Sequence, residues 1–160
     1  MTIKTGDKMP AGEFGVMTES GPGKMSSDEL FAGKKVVLIS VPGAFTPTCS
    51  LNHLPGFVDH ADEIMTKGVD TIACMAVNDL FVMHAWGKDR KVGDKVKMLA
   101  DGNGEYTRKL GLEMDGSGFG LGMRGQRFAM VVDDGVVTHL AVEQPGKFEV
   151  SKAEAILSNL

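Results

Sequence analysis

The sequence predicts an α/β fold, a central mixed β-sheet flanked by helices with an N-terminal β extension, on three observations. Val36-Val37-Leu38-Ile39 is a run of four apolar residues, three of them β-branched, as in a strand buried on both faces of a parallel sheet. Segments of helical period separate that run from the next apolar ones, so successive strands need crossover helices. Late in the chain, Arg127–Val132 and Val136–Val142 are joined by Asp133-Asp134-Gly135, a hairpin signal that adds antiparallel strands. The order β-α-β-α-β-α-β-β-α is thus parallel early and antiparallel late. At 160 residues the chain has the size of one domain, with no internal repeat or linker.

Each element follows from local chemistry. Residues 1–25 are rich in Gly and Pro with short apolar pairs, which suits an irregular β element or hairpin at a sheet edge. Ser26–Ala32 reads as one or two helical turns stopped by Gly33, and the central strand runs from about Lys35 to Val41. Leu51, Leu54, Phe57, Val58, Ala61, Ile64 and Met65 recur at helical spacing between Pro47 and Lys67, predicting a long helix kinked near Pro55 and ended by Gly68. Val69–Val77 is the next strand, Asn78-Asp79 cap a helix to about Lys88, and Lys95–Ala100 is a short strand. Asp101–Gly104 turns the chain into a helix over 105–110. Gly111 to Gly125 holds six glycines in fifteen residues and is expected to be a loop; it lacks the context of a phosphate-binding loop. Ser151-Lys152-Ala153-Glu154 has the pattern of a capping box opening a C-terminal helix to Leu160.

Composition narrows the function classes. A net charge of −4 gives no basic footprint for nucleic acid. No apolar run approaches the ~18 residues of a membrane span, and the polar N-terminus lacks a signal core, so a cytoplasmic protein or a mature form is expected. Two cysteines, Cys49 and Cys74, make no disulfide framework and are too far apart for a C-x-x-C exchanger. The four histidines show no ligand spacing with them, so no metal is expected. The 11 methionines read as core filler.

The chemistry concentrates where the central strand ends. Pro42-Gly43 breaks the strand, Thr46 has the character of an N-cap and Pro47 of a first helical residue, which puts Cys49 in the first helical turn. A thiol there lies near unpaired N–H groups at the positive end of the helix dipole. Activating an ordinary thiol, of pKa ~8.5, by two units takes about 2.7 kcal/mol. A helix terminus supplies ~0.3–1 kcal/mol, about 2 at best. A reactive Cys49 therefore needs a cation from elsewhere in the chain.

Pro42-Gly43-Ala44-Phe45-Thr46-Pro47-Thr48-Cys49 resembles the P-x-x-x-T-x-x-C signature of peroxiredoxins, in the form of the type II (peroxiredoxin-five) subfamily. The resemblance continues through His53–Phe57, Ala73–Asp79, Trp86-Gly87 and Arg127–Val132, nearly the whole chain. It implies a thioredoxin-like fold and attack of the Cys49 thiolate on a peroxide O–O bond to give a sulfenic acid. It implies a hydrogen bond from Thr46 to thiolate and peroxide, shielding of the site by Pro42, and donation from the Cys49 N–H to the developing charge. Gly43 and Thr48 belong to the same signature.

The cation implied is Arg127; from the residues alone a solvated strand-end charge is the favoured reading of it, and Arg124 is a rival or helper. His53, four residues after Cys49, shares its helical face. It reads as a supporting histidine, which the resemblance places behind the arginine, or as the base of a Cys–His hydrolase. Cys74, in an apolar strand, reads as buried and inert. Subfamily members that resolve internally use a cysteine near the C-terminal helix, and residues 143–160 contain none. That departure points to a one-cysteine cycle, recycled by an external thiol: glutathione, glutaredoxin or thioredoxin. Hydrogen peroxide and small alkyl hydroperoxides are the implied substrates, without metal, haem or flavin. Phe45, Phe81, Phe119 and Leu121 are candidates for an apolar rim or dimer contact, a homodimer being the family habit. The non-enzymatic alternative is a sensor or holdase switched by Cys49 oxidation.

Overall fold

Nine strands and six α-helices make up the computed structural model, which describes residues 1–160. The strands are β1 (Glu13–Thr18), β2 (Gly21–Ser26), β3 (Lys35–Ser40), β4 (Thr71–Ala76), β5 (Lys97–Ala100), β6 (Glu113–Asp115), β7 (Met123–Gly125), β8 (Phe128–Asp133) and β9 (Val136–Val142). The helices are α1 (Ser27–Phe31), α2 (Leu54–Asp59), α3 (Ala61–Thr66), α4 (Leu80–Asp89), α5 (Glu105–Leu110) and α6 (Ala153–Leu157), with a π-helical turn at Cys49–His53.

Seven strands form one sheet in the order β2-β1-β5-β4-β3-β8-β9. β3 pairs in parallel with β4, and β4 with β5, whereas β8 joins β3 antiparallel and continues into β9. β1 and β2 are an antiparallel hairpin at the far edge, as expected for the N-terminal extension. Alternation along the central strands sorts the core into two layers. Val37, Ile39, Ile72, Cys74, Ala129 and Val131 face α2, α3, α4 and α6; Val36, Leu38, Ala73, Met75, Phe128, Met130 and Val132 meet Phe14, Leu30, Tyr106 and Leu110 behind. No helix is long and apolar enough to cross a membrane.

Several local expectations are corrected. The helical run after Pro47 is not kinked at Pro55: it opens with the π turn and breaks at His60, whose ψ of 8° interrupts the ladder between α2 and α3. Pro55 falls in the first turn of α2, where a missing N–H costs little. The glycine-rich stretch holds a two-stranded hairpin, β6 on β7, whose reversal uses positive φ at Gly120 and Gly122. Ser151 does not cap α6; the helix starts after Lys152 without a side-chain cap and ends at Leu157, because Ser151 is committed to Glu143. Asp79 caps α4 as expected, accepting from the Val82 N–H at 2.9 Å.

Candidate active site

The strand-to-helix connection that follows β3 is held from both sides. The Val41 N–H donates to the Met75 carbonyl and the Ala44 N–H to Asn78 Oδ1, which tie it to β4 and the loop after it. Phe45 sits at φ +65°, a left-handed conformation unusual for an aromatic residue, with its ring 6.5 Å from that of Trp86. Residues 47–48 are helical and the Ser50 N–H reaches the Thr46 carbonyl at 2.8 Å. Thr46 thus occupies the expected start, yet its hydroxyl does not cap the helix: it donates to the Gly43 carbonyl at 2.7 Å. Thr48 leads into the π turn without a capping bond.

Cys49 opens that turn, fully buried. The Leu54 N–H donates to the Cys49 carbonyl five residues back, so the turn carries one more residue than an α-helical turn. Helix α4 clamps it. The buried Trp86 Nε1–H donates to Ser50 Oγ at 2.8 Å and Arg90 Nη1 to the Ser50 carbonyl at 3.0 Å. The Cys49 N–H has no backbone or side-chain acceptor.

The cation is Arg127. Its Nη2 donates to Cys49 Sγ at 3.1 Å and its Nη1 to His53 Nδ1 at 2.9 Å. No carboxylate forms a salt bridge with it, so its charge is left for the sulfur. Its backbone is fixed at the end of the sheet, where its carbonyl accepts from the Glu143 N–H at 2.9 Å. The Phe148 ring centroid lies 5.9 Å from its guanidinium carbon.

Arg124 lies elsewhere. It donates to the Leu121 carbonyl at 2.8 Å and, through Nη1, to the Pro42 carbonyl at 3.4 Å, bracing the β6–β7 hairpin against the half-buried Pro42. A Cβ at Gly43 would stand 3.0 Å from Arg124 Nη1 and 3.2 Å from Thr46 Cγ2, which is why glycine fits that position. The site thus brings Cys49, Arg127 and His53 into direct contact, with Pro42, Gly43 and Thr46 in the adjoining loop. Arg124 touches that loop and not the thiol.

His53 is fully buried and its tautomer follows from its partners. A guanidinium only donates, so Nδ1 accepts; a carbonyl only accepts, so Nε2–H donates, to Ser151 O at 3.0 Å. Burial first, then the Arg127 charge, lowers its pKa to about 3, against smaller upward pulls from Ser151 and Glu143. A neutral imidazole with both nitrogens engaged cannot serve Cys49 as a base, and the hydrolase arrangement is absent. Cys74 is a free, fully buried thiol, its pKa pushed up by burial and by Cys49 against a smaller pull from Arg127.

Three contributors escaped sequence reasoning. Glu143 is 7% exposed, and its Oε2 accepts from the N–H groups of Glu149, Val150 and Ser151 and from Ser151 Oγ, at 2.7 to 2.9 Å. Burial raises its pKa, but these four bonds prevail and hold it below the usual carboxylate value. Ser151 and Phe148 complete the group, Phe148 packing edge-on to His53 at 5.2 Å. An acidic residue ending an apolar strand before a segment without regular structure was the available signal.

Known proteins share this arrangement of chain. The family model described as Redoxin matches residues 4–157. Peroxiredoxin-2B of Arabidopsis thaliana is 51% identical over 159 residues, which cover 99% of this chain and 98% of that protein. Reduced Prx3 of Vibrio vulnificus, solved in complex with hydrogen peroxide, superposes with a TM-score of 0.95 at 52% identity over 99% of both chains. The Plasmodium falciparum antioxidant protein, described as a 1-Cys peroxiredoxin, superposes with a TM-score of 0.91 at 31% identity over 99% of this chain and 100% of that one. Identity of this extent establishes the thioredoxin-like architecture, a peroxide substrate and a thiol reductant together: the chain belongs to the redoxin family, as a thiol-dependent peroxidase of the type II peroxiredoxins.

Proposed function

We propose that Cys49 is the nucleophile of a one-cysteine peroxidase cycle, with Arg127 as its electrostatic partner and Thr46, Pro42 and the Cys49 N–H shaping the peroxide site. The single observation carrying this reading is the Arg127 fork, one arm on Cys49 Sγ and the other on His53, with no carboxylate competing for its charge. The thiolate sulfur attacks the outer oxygen of hydrogen peroxide or a small alkyl hydroperoxide. An S–O bond forms as the O–O bond breaks, the sulfur is oxidised by two electrons to a sulfenic acid, and the leaving alkoxide or hydroxide takes up the proton the thiol gave. Donors preorganised around the reacting oxygens lower the barrier as they do for other developing anions. No cofactor enters this cycle.

The reductant comes from outside the chain. Cys74 is sealed in the core and no cysteine lies in residues 143–160, which favours condensation of the sulfenic acid with an external thiol. The mixed disulfide releases water as it forms, and a second thiol then frees Cys49. Glutathione, glutaredoxin and thioredoxin each have the chemistry, and a reducing compartment such as the cytoplasm suits two free thiols. We assign a homodimer contact to the rings of Phe45, Phe81 and Phe119, which are 51%, 61% and 87% exposed instead of packed in the core. The half-buried Leu121 is a lesser contributor.

Mass spectrometry of the reduced protein, given one equivalent of hydrogen peroxide with a sulfenic-acid trap, tests the cycle. The expected result is rapid trapping at Cys49 with Cys74 still a free thiol. A Cys49–Cys74 disulfide would overturn the external-thiol step, and an inert Cys49 the whole reading.

A further inference from the structure

We infer that Glu143, far from the sulfur in sequence and touching neither thiol nor arginine side chain, is a positioning residue for peroxide attack, acting through Ser151 and His53 on Arg127. This rests on the reading of Cys49 and Arg127 given above.

The path is continuous. Arg127 Nη1 has one acceptor on its inner side, His53 Nδ1 at 2.9 Å. That nitrogen is an acceptor only while the imidazole proton resides on Nε2. The proton resides there because the Ser151 carbonyl receives it at 3.0 Å. In the other tautomer an N–H would face the guanidinium N–H, and Arg127 would lose the anchor that aims its second arm at Cys49. Ser151, however, belongs to no strand or helix, and no ladder holds its carbonyl in place.

Glu143 does that instead. One carboxylate oxygen gathers three successive backbone N–H groups, of Glu149, Val150 and Ser151, and the Ser151 hydroxyl at 2.7 Å. Charged acceptors make such bonds roughly twice as strong as neutral ones. The same segment carries Phe148 onto both Arg127 and His53. Glu143 is itself pinned to Arg127, its N–H on the Arg127 carbonyl at 2.9 Å. The backbone of Arg127 and its side chain are thus joined into one closed ring through Glu143, Ser151 and His53.

A carboxylate that merely staples a loop would affect stability alone. Positioning predicts four further results, read in the purified protein at a temperature where each variant is folded. Glu143→Ala should slow oxidation of Cys49 by hydrogen peroxide about tenfold or more, as small misplacements of reacting groups do. It should replace the single Nε2–H signature of His53 in its 15N spectrum by a mixture of tautomers. Its effect on rate should vanish in a His53→Ala background, since both changes cut the same ring. Glu143→Gln, which keeps an acceptor oxygen, should restore most of the rate. Should Glu143→Ala fail to fold, Ser151→Ala decides by the same two readouts, because it removes the hydroxyl bond to the carboxylate and leaves the carbonyl. An unchanged rate and tautomer in the folded variant would overturn the inference. So would an equal slowing in the His53→Ala background. Because the tautomer is read without peroxide, an unreactive Cys49 in the unsubstituted protein would instead condemn the peroxidase reading while leaving the ring on trial.

Discussion

Replacing Arg127 by lysine keeps the charge and removes the fork. The guanidinium makes two directed bonds 2.9 and 3.1 Å long, to His53 Nδ1 and Cys49 Sγ, and an ammonium on a flexible stem cannot hold both in that geometry. A hydrogen bond to a charged group contributes about 1.5–3 kcal/mol. If it is lost from the transition state, peroxide attack slows by ~10- to 150-fold. Arg127→Ala goes further, because it removes the cation bonded to the buried reacting sulfur, at about 3–5 kcal/mol, or ~150- to 5,000-fold in rate. The assay is single-turnover mixing of reduced protein with hydrogen peroxide. The emission of the sole tryptophan, Trp86, follows the reaction, since its indole N–H is bonded to Ser50 beside the thiol. Thermal unfolding of each variant separates chemistry from folding. A lysine variant within about threefold of the original rate would show that charge suffices and the fork does not matter. An alanine variant that fast would remove Arg127 from the reaction.

Arg124→Ala, assayed in the same way, should slow attack much less than Arg127→Ala, because Arg124 braces the Pro42 carbonyl; the reverse ranking would exchange their roles. Stability should fall on acidification for a reason traceable to His53. Its folded pKa, about 3, lies below its unfolded value of 6.5, so below pH 6.5 the unfolded chain takes up a proton that the folded chain refuses. Between pH 7 and 5 that linkage removes about 2 kcal/mol, measurable by urea titration, and the increment should disappear in His53→Gln. Glu143, whose pKa is lowered despite its burial, adds a loss of the same sign at more acidic pH. His60 acts oppositely: its hydrogen bond to Glu63 raises its pKa, and the stability this lends is lost as pH rises past 6.5. Phe81→Asp should shift the sedimentation mass from dimer to monomer, and an unchanged mass would move the interface elsewhere.

The sheet was legible because its central strands are buried on both faces and announce themselves as apolar runs, and because Asp133-Asp134-Gly135 can hardly be anything but a turn. The Cys49 loop was legible for a different reason: Pro42-Gly43 ends a strand and Thr46-Pro47 opens a helix by local chemistry alone. What stayed hidden depends on partners distant in sequence. Nothing within Cys49–His53 marks a π turn, since its extra residue is stabilised by Trp86 of α4 and by Arg90, the residue that follows that helix. Ser151 has every local feature of a helix cap, and only Glu143, eight residues upstream, draws it away. Arg127 looked like Arg124 until pairing of β8 with β3 brought one of them to the thiol. The glycines of residues 111–125 read as a loop because a hairpin of three-residue strands has too little side-chain pattern to show.

The extra residue in the turn after Cys49 makes chain length there as consequential as chemistry. Successive residues of an α-helix are offset by about 100° around the axis and ~1.5 Å along it. Deleting the exposed Asn52 would leave three residue steps between Cys49 and the imidazole in place of four and let the ladder close as an ordinary α-turn. Every side chain of the site would survive such a deletion, but Cys49, Ser50 and His53 would have to meet Arg127, Trp86 and Arg90 from a narrower turn. The turn sets the angular phase between nucleophile and support. In this enzyme the count of residues between Cys49 and His53 is therefore itself a functional parameter, one that no point substitution can reset.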